Sequence, residues 1–511
     1  MPTTKTLLRQ EWTAFRRPGR LLAMAAAALA VLALGLLHSA GNHASCDGSC
    51  PADPTGPDGS TVSDQFWFLH RDLGENGGIT VRMTSMAGTI TYPPPDHDEI
   101  VSGLVPWAKA GIIVKDGVRQ GASYAALMLT GGHGVRMQYD YHHDIAGRAG
   151  GVSAKAPRWL RLTRSGDSIT GYESADGKRW TKVGTATLSG LPTTVQVGLF
   201  ATSPGDLTLR PTGLGGATEE TRFTQAGGVF DHVTLTGTAP AEGWSSEAVG
   251  EMNHTDWEKY HRASEARTGA NGTITVTGTG DIGPTGTEGS YPVERTLTGL
   301  TLALLIVLVV AVRFATAGYG REPGGGAAGT RRVFAAKATV VGVVTFLTGL
   351  LAVGSVIPVG TAILKANGMP VTEASTLTGV RVVVGIAAVL ALAAVLALSL
   401  GVMLRRAWLA ILVAVSAIAV PYAVTAVPLL PDGLARWLLR ATPAAGFAAQ
   451  QTLTAYPQVV AHYVPSAGYF PLPWWAGIAV LCAYTVIALG LAAHRLPRGA
   501  AREARPTGPA A

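Results

Sequence analysis

The chain has 511 residues, 47% of them hydrophobic and 14% charged, with 64 Gly, 30 Pro and a mean hydropathy of +0.27. It is too long and too apolar for one ordinary soluble domain, and too regular in pattern for a disordered chain. The formal charge of +7 is the sum of an acidic stretch, residues 39–295 at −8, and a remainder at +15 whose cations sit at the ends of apolar runs. A nucleic-acid partner needs cations clustered on one folded face and is therefore excluded.

In chain order, the first element is amphipathic. Leu7, Leu8, Glu11, Trp12 and Phe15 fall near i, i+4, i+8 spacing, with Arg9, Arg16, Arg17 and Arg20 around them. That is the make-up of a helix lying in a lipid interface. We assign residues 1–20 to it, with Trp12, Phe15, Arg16 and Arg17 as its anchors. Leu21–Leu37 follows as an apolar run. A cleaved signal peptide has a similar pattern, and Ser39-Ala40-Gly41 keeps that alternative open; the long amphipathic lead-in favours an uncleaved anchor. Residues 38–60 form a Gly/Ser/Asp/Pro-rich linker containing Cys46 and Cys50. An oxidising compartment permits a disulfide there, while the tight intervening loop opposes one, and both states stay open. Cys482, in the last apolar run, reads as a packing residue.

From Thr61 to about residue 240 the pattern becomes period-two. Residues 110–115, 124–129, 134–139, 159–164, 168–173 and 195–200 read as strands, with hairpin turns at Ser165-Gly166-Asp167 and Asp176-Gly177. Many short strands at this spacing predict an antiparallel all-β sandwich. Trp107, Tyr139, Tyr141, Trp159, Tyr172 and Trp180 either fill its core or offer stacking planes to a ligand. The candidate ligand-stacking positions are Trp107, Tyr139, Trp159 and Tyr172, and the candidate ligand is a cell-surface glycan. Asp96, His97, Asp98 and Glu99 are a solvated acidic loop or a calcium site, and His142-His143-Asp144 is a polar hairpin tip; no metal is assigned. No G-x-S-x-G, H-E-x-x-H or phosphate-binding loop occurs. The chain is therefore expected to be non-catalytic and to bind no cofactor of its own. Residues 241–296 read as a separate juxtamembrane segment, with a strand at 271–278, a turn at 278–284 and Asp281 bonding local backbone.

Five more apolar runs follow: Leu297–Val312, Ala338–Ile357, Val382–Leu404, Trp408–Pro428 and Trp474–Ala493. About 20 helical residues cross a hydrocarbon core of roughly 30 Å, so six membrane spans are expected. With the N-terminus inside, the inner connections hold 16 Lys/Arg and the short outer loops hold four. This bias places both termini, including the tail 494–511, in the cytoplasm and residues 39–295 outside. Pro421 is expected to kink the fifth span. Residues 431–472 are too apolar for a free loop; Leu434, Trp437, Leu438 and Ala441 recur at helical spacing and predict short helices at the outer mouth. No span carries an acidic residue, which argues against proton-coupled transport.

Two resemblances add to this reading. W-A-K-A-G-I-I-V-K-D at 107–116, Y-A-A-L-M-L-T at 124–130, W-L-R-L-T-R-S-G at 159–166, G-Y-E-S-A-D-G-K-R-W at 171–180 and V-G-L-F-A-T-S at 197–203 resemble the concanavalin A-like jelly roll, in particular its laminin-G-like modules. The stretch Phe314–Lys337, the N-terminal L-L-R-Q-E-W-T-A-F-R-R-P-G-R and L-R-A-T-P-A-A-G-F-A-A-Q-Q at 439–451 resemble ABC-2-type ABC transporter permeases of actinobacterial type. That resemblance implies a bacterial plasma-membrane exporter subunit working as a homodimer or heterodimer with a separate ABC ATPase, which holds the ATP and Mg. It implies that residues 313–337 are the loop contacting the ATPase, through Tyr319, Arg321, Arg331, Arg332 and Lys337, that 1–20 is an elbow helix, and that 431–472 is an external gate. Gly318 stands where the family usually has an acidic residue, and Glu322-Pro-Gly-Gly-Gly is a poor helix former.

The expected fold class is a six-span α-helical membrane bundle carrying a large inserted all-β extracellular jelly-roll sandwich. The rival expectation is a multi-span surface sensor or adhesion protein whose sandwich binds cell-wall carbohydrate.

Overall fold

The computed structural model describes residues 3–44, 53–92, 99–212, 216–237, 243–252, 259, 263–286, 291–317, 327–372, 374–426, 430–459, 463, 465 and 468–503. Cys46, Cys50, Asp96, His97, Asp98, Tyr319 and Arg321 lie outside them.

The sandwich consists of two antiparallel sheets packed face to face. One runs, edge to edge, Thr181–Thr187, Ser168–Ser174, Arg158–Ser165, Asn76–Thr91, Thr224–Gly237, Ile274–Gly278 and Glu265–Thr268, with Ile100–Ser102 paired on the long Asn76–Thr91 strand. The other runs Ser245–Val249, Phe66–Leu73, Val195–Thr202, Lys109–Lys115, Tyr124–Thr130, Val135–Tyr139 and His143–Ala146. Alternate residues of each strand point inward, so Ile79, Val81, Leu160, Leu162, Phe230 and Val276 of the first sheet meet Ile112, Val114, Leu127 and Leu199 of the second.

Two central strands of the second sheet, Lys109–Lys115 and Tyr124–Thr130, are buried at every position. Their outer face is covered by a second apolar layer built from Val62, Phe66, Phe68, Phe200, Val249 and Ile282. Val62–Asp64 and Ile282–Pro284 pair with each other over this face.

The boundary at residue 240 is therefore too early. Residues 245–284 are not a separate juxtamembrane segment: they supply an edge strand to one sheet, two strands to the other and half of the covering pair. Their Gly/Thr-rich pattern hides this, because a strand whose partners are distant in sequence has no hairpin turn to announce it.

The helices form one apolar cluster running from Phe15 to Ala492. α1 (Thr4–Phe15) is capped by the Thr3 hydroxyl, which accepts from the Thr6 N–H at 3.4 Å, and α2 (Pro18–Gly41) begins at Pro18. Proline at the first helical position ends one helix and starts the next, so the elbow closes at residue 15 rather than 20. α3 (Leu300–Thr316) follows a 3₁₀ turn at Val293–Leu297. α4 (Ala327–Ala366) is 40 residues long and α5 is Thr376–Leu404. α6 (Ala407–Ala414), a π-helical turn (Val415–Ala419) and α7 (Val420–Ala426) continue one another, and α8 (Asp432–Ala441) leads into a 3₁₀ segment, Pro443–Gln450, before α9 (Trp474–Glu503).

Among the described residues, five helical stretches are long and apolar enough to cross a membrane: Pro18–Gly41, Thr330–Ala366, Thr376–Leu404, Ala407–Ala426 and Trp474–Leu496. α3 is a shorter apolar helix of 17 residues, about 25 Å at 1.5 Å per residue. The expected loop 313–337 is helical from Ala327, which puts Arg331, Arg332 and Lys337 on the first turns of α4. The expected kink at Pro421 falls just after a π-helical turn, Val415–Ala419, within a helical stretch that runs from Ala407 to Ala426. In α8 the buried residues are Ala435 and Leu439, whereas Leu434 and Trp437 are exposed; the apolar stripe read from spacing faces outward.

Candidate functional site

At the end of the bundle opposite the sandwich, α1 lies against the start of α4. Leu7, Glu11 and Phe15 are its buried face and Trp12 is exposed. Phe15 meets Phe314 edge-on at 5.1 Å, and both the Arg20 guanidinium (4.8 Å) and the Lys337 ammonium (5.2 Å) lie over the Phe314 ring. Lys337 also reaches the buried Glu11 carboxylate at 3.8 Å. A cavity of about 540 Å³ opens beside them, lined by Leu7, Leu8, Arg332, Ala336 and Thr339. Arg16 and Arg17 are exposed at the turn into α2, and Arg331 donates to the Ala493 carbonyl of α9 at 3.1 Å.

The four stacking candidates do not form one surface. Trp107 is 3% exposed and stacks on His133 at 4.1 Å with Arg136 beside it, so it is a packing residue. Tyr139 stacks on His143 at 4.3 Å at the end of the other sheet. Trp159 and Tyr172 do share a face, the outer side of the Asn76–Thr91 sheet. Arg161, opposite Tyr172 in register, lies 3.8 Å over the Trp180 ring, and Trp159 has Arg82 and His232 around it. Arg82 makes a two-pronged bond to Asp231, which holds that carboxyl below its ordinary range.

Spacing did not reveal the buried ion pairs of the second sheet. Lys115 Nζ lies 2.7 Å from Asp64 Oδ2, and both side chains are fully buried. The same oxygen accepts from Tyr141 Oη at 2.7 Å and the Gly121 N–H at 2.8 Å. Burial pushes the Lys115 ammonium below its usual value, with Asp64 opposing that shift, and pushes the Tyr141 phenol up. Lys109 pairs with Asp281 at 2.6 Å, and Asp281 also accepts the Ile282 N–H as expected of a local turn residue. One signal was available: Lys109 and Lys115 stand six apart in otherwise apolar strands, on one face.

The junction of sandwich and bundle holds the least expected group. Glu294, in the 3₁₀ turn before α3, is 5% exposed. Its carboxylate accepts from the Thr452 N–H at 3.3 Å and from the Thr452 hydroxyl. Burial pushes its pKa up to about 7, the Thr452 bonds opposing that shift. Next to Thr452, Gln451 accepts from Arg381 through its carbonyl and from the Phe470 N–H through Oε1 at 3.1 Å. Further along the same loop, Tyr456 stacks on His142 at the sandwich hairpin tip, 5.0 Å between ring centres. No group of metal-ligating residues occurs among the described residues.

No protein-family profile matches this chain, and no curated protein matches it. Among solved structures, it is similar to a functionally unknown protein from Saccharomyces cerevisiae (19% identity, 38% of this chain and 85% of that one, TM-score 0.20). It is also similar to a mutant GH43 protein from Bacillus licheniformis (15% identity, 32% and 28%, TM-score 0.18). A third is scytalido-glutamic peptidase bound to a transition-state analog inhibitor (10% identity, 42% and 98%, TM-score 0.26). Likenesses of this size carry no argument about this chain's fold or activity.

Proposed function

We propose that the chain is the permease subunit of an ABC-2-type exporter, driven by a separate ATPase. The observation that carries the reading is the seat of α1 on α4. An amphipathic helix packs against the first turns of a 40-residue helix, with Arg332 and Lys337 beside it and Arg331 turned to α9, at the end of the bundle opposite the sandwich. The Lys/Arg bias puts that end in the cytoplasm, where an ATPase docks. α3, counted as a sixth span, completes the bundle. The sandwich, with the jelly-roll topology its motifs resemble, then stands outside. The α8 and Pro443–Gln450 pair, whose second member is wholly buried, forms an external gate.

In this reading closure of the ATPase pair pushes on α1 and the start of α4, and α4 carries the movement across the membrane as one continuous helix. The chain has no Walker motif, so the nucleotide and Mg belong to the partner. The test is copurification from the native cell. An ATPase with Walker motifs should come down with the wild-type chain and be lost when Arg331 and Arg332 are both replaced by Glu. A monomer with no such partner would sink the proposal.

The sensor reading is favoured by one observation, the Trp159–Tyr172–Trp180 face with its arginines, which suits a glycan. It predicts glycan binding that is indifferent to Arg331 and Arg332.

A further inference from the structure

The loop between the Pro443–Gln450 segment and α9 is held from two sides. On the bundle side, Gln451 is tied to Arg381 of α5 and to the Phe470 N–H, and Thr452 caps the buried Glu294 carboxyl. On the sandwich side, Tyr456 stacks on His142 with 29° between the rings. His142 is itself fixed: its Nε2 is 2.6 Å from Ser60 Oγ and 3.5 Å from Asp58. Its hairpin is rigid, because the preceding Tyr141 is buried and bonded to Asp64. Asp140 and Tyr141 hold left-handed backbone conformations, with φ of 43° and 65°, that only a firmly packed turn sustains. A second foothold lies three residues on, where Val459 packs so closely on Gly286 that a side chain there would collide with it. Three residues therefore separate the ring that touches the sandwich from the hydroxyl that caps Glu294.

We infer that the His142–Tyr456 contact is a clasp by which the sandwich sets the conformation of the 451–459 loop and, through Thr452, of the Glu294 turn that opens α3. This goes beyond the exporter reading and does not depend on an ATPase. A short loop pinned at both ends cannot shift at one without loading the other, and α3 begins three residues after the turn it holds. A ligand or wall contact that tilts the sandwich would thus act on the helix entry at the sandwich end of the bundle.

The experiment is hydrogen–deuterium exchange on the full-length protein in lipid nanodiscs, following peptides 451–459 and 291–297. His142→Ala and Tyr456→Leu should each speed exchange in both peptides by about fivefold, the effect expected of losing one aromatic contact. The double variant should exceed neither single by more than a small margin, because both remove the same contact. His143→Ala, which loses only the Tyr139 stack on the same hairpin, should leave both peptides as in the wild type. Unchanged exchange at 291–297 in both His142→Ala and Tyr456→Leu, or additive effects in the double variant, would overturn the inference.

Discussion

Lys115 shows what a single buried charge does in this sandwich. Its ammonium and the Asp64 carboxylate are both out of water, and each is the other's main compensation. Replacing Lys115 by Met leaves a buried carboxylate with only the Tyr141 and Gly121 donors, which costs about 3–5 kcal/mol. The Lys115→Met protein should unfold at markedly lower temperature or denaturant concentration than the wild type, and adding Asp64→Asn should recover much of the loss. Glu294 behaves in the opposite sense to a salt-bridged acid. Its folded pKa of about 7 lies above the ordinary value of 4.5, so the folded chain holds a proton that the unfolded chain has lost between those values. Its contribution is complete below the unfolded value and declines as pH rises through the folded one, by about 3 kcal/mol in all. Melting of the detergent-solubilised protein should therefore fall between pH 5 and pH 8, and Glu294→Gln should remove that part of the slope.

Among the elements, the late strands matter most. Ile274–Gly278 pairs with Thr224–Gly237 and brings Val276 into the sandwich core, while Ser245–Val249 pairs with Phe66–His70. A fragment ending at residue 240 lacks both and leaves the strand that carries Phe230 paired on one side only, with Asn76–Thr91. We expect residues 53–286 to unfold cooperatively in denaturant and residues 53–240 to aggregate or melt without a transition, as read by circular dichroism. α1 makes a comparable case at the other end of the molecule. Leu7→Asp puts a charge into its buried face and should release α1 from α4, seen as rapid amide exchange throughout residues 4–15.

For the whole molecule, the two halves are joined by more than their covalent links. Val459 packs against Gly286, and Tyr291, just past the sandwich, pairs with Val371 of the bundle, its N–H donating to the Pro370 carbonyl at 2.6 Å. With the His142–Tyr456 stack, these contacts make the sandwich part of the bundle's end rather than a tethered ornament. If the chain exports a substrate, removing the sandwich should change transport and not merely surface binding. Deleting residues 53–286 with a short linker should lower substrate efflux in reconstituted vesicles while the partner ATPase remains bound.

Much of this architecture was written in patterns that need no tertiary information. Hydrophobic runs of about 20 residues mark spanning helices, and period-two alternation with Gly/Asp turns marks a sandwich, because each pattern reports how a chain must present its apolar side chains to one environment. Pattern alone predicts six spans and a large β domain; among the described residues five helices are long and apolar enough to cross a membrane, and the β-sheet domain is present. What the folded chain decided is which distant residues meet. The strands at 245–284 join sheets whose other members lie far upstream, Trp107 turns inward onto His133, the Leu434–Trp437 stripe faces out, and Lys115 finds Asp64. Glu294 is the clearest example. It lies outside every apolar run, and it becomes a buried carboxyl only because Thr452, 158 positions away, closes over it. Local pattern determines what a segment buries; the partner it is buried against is a property of the topology.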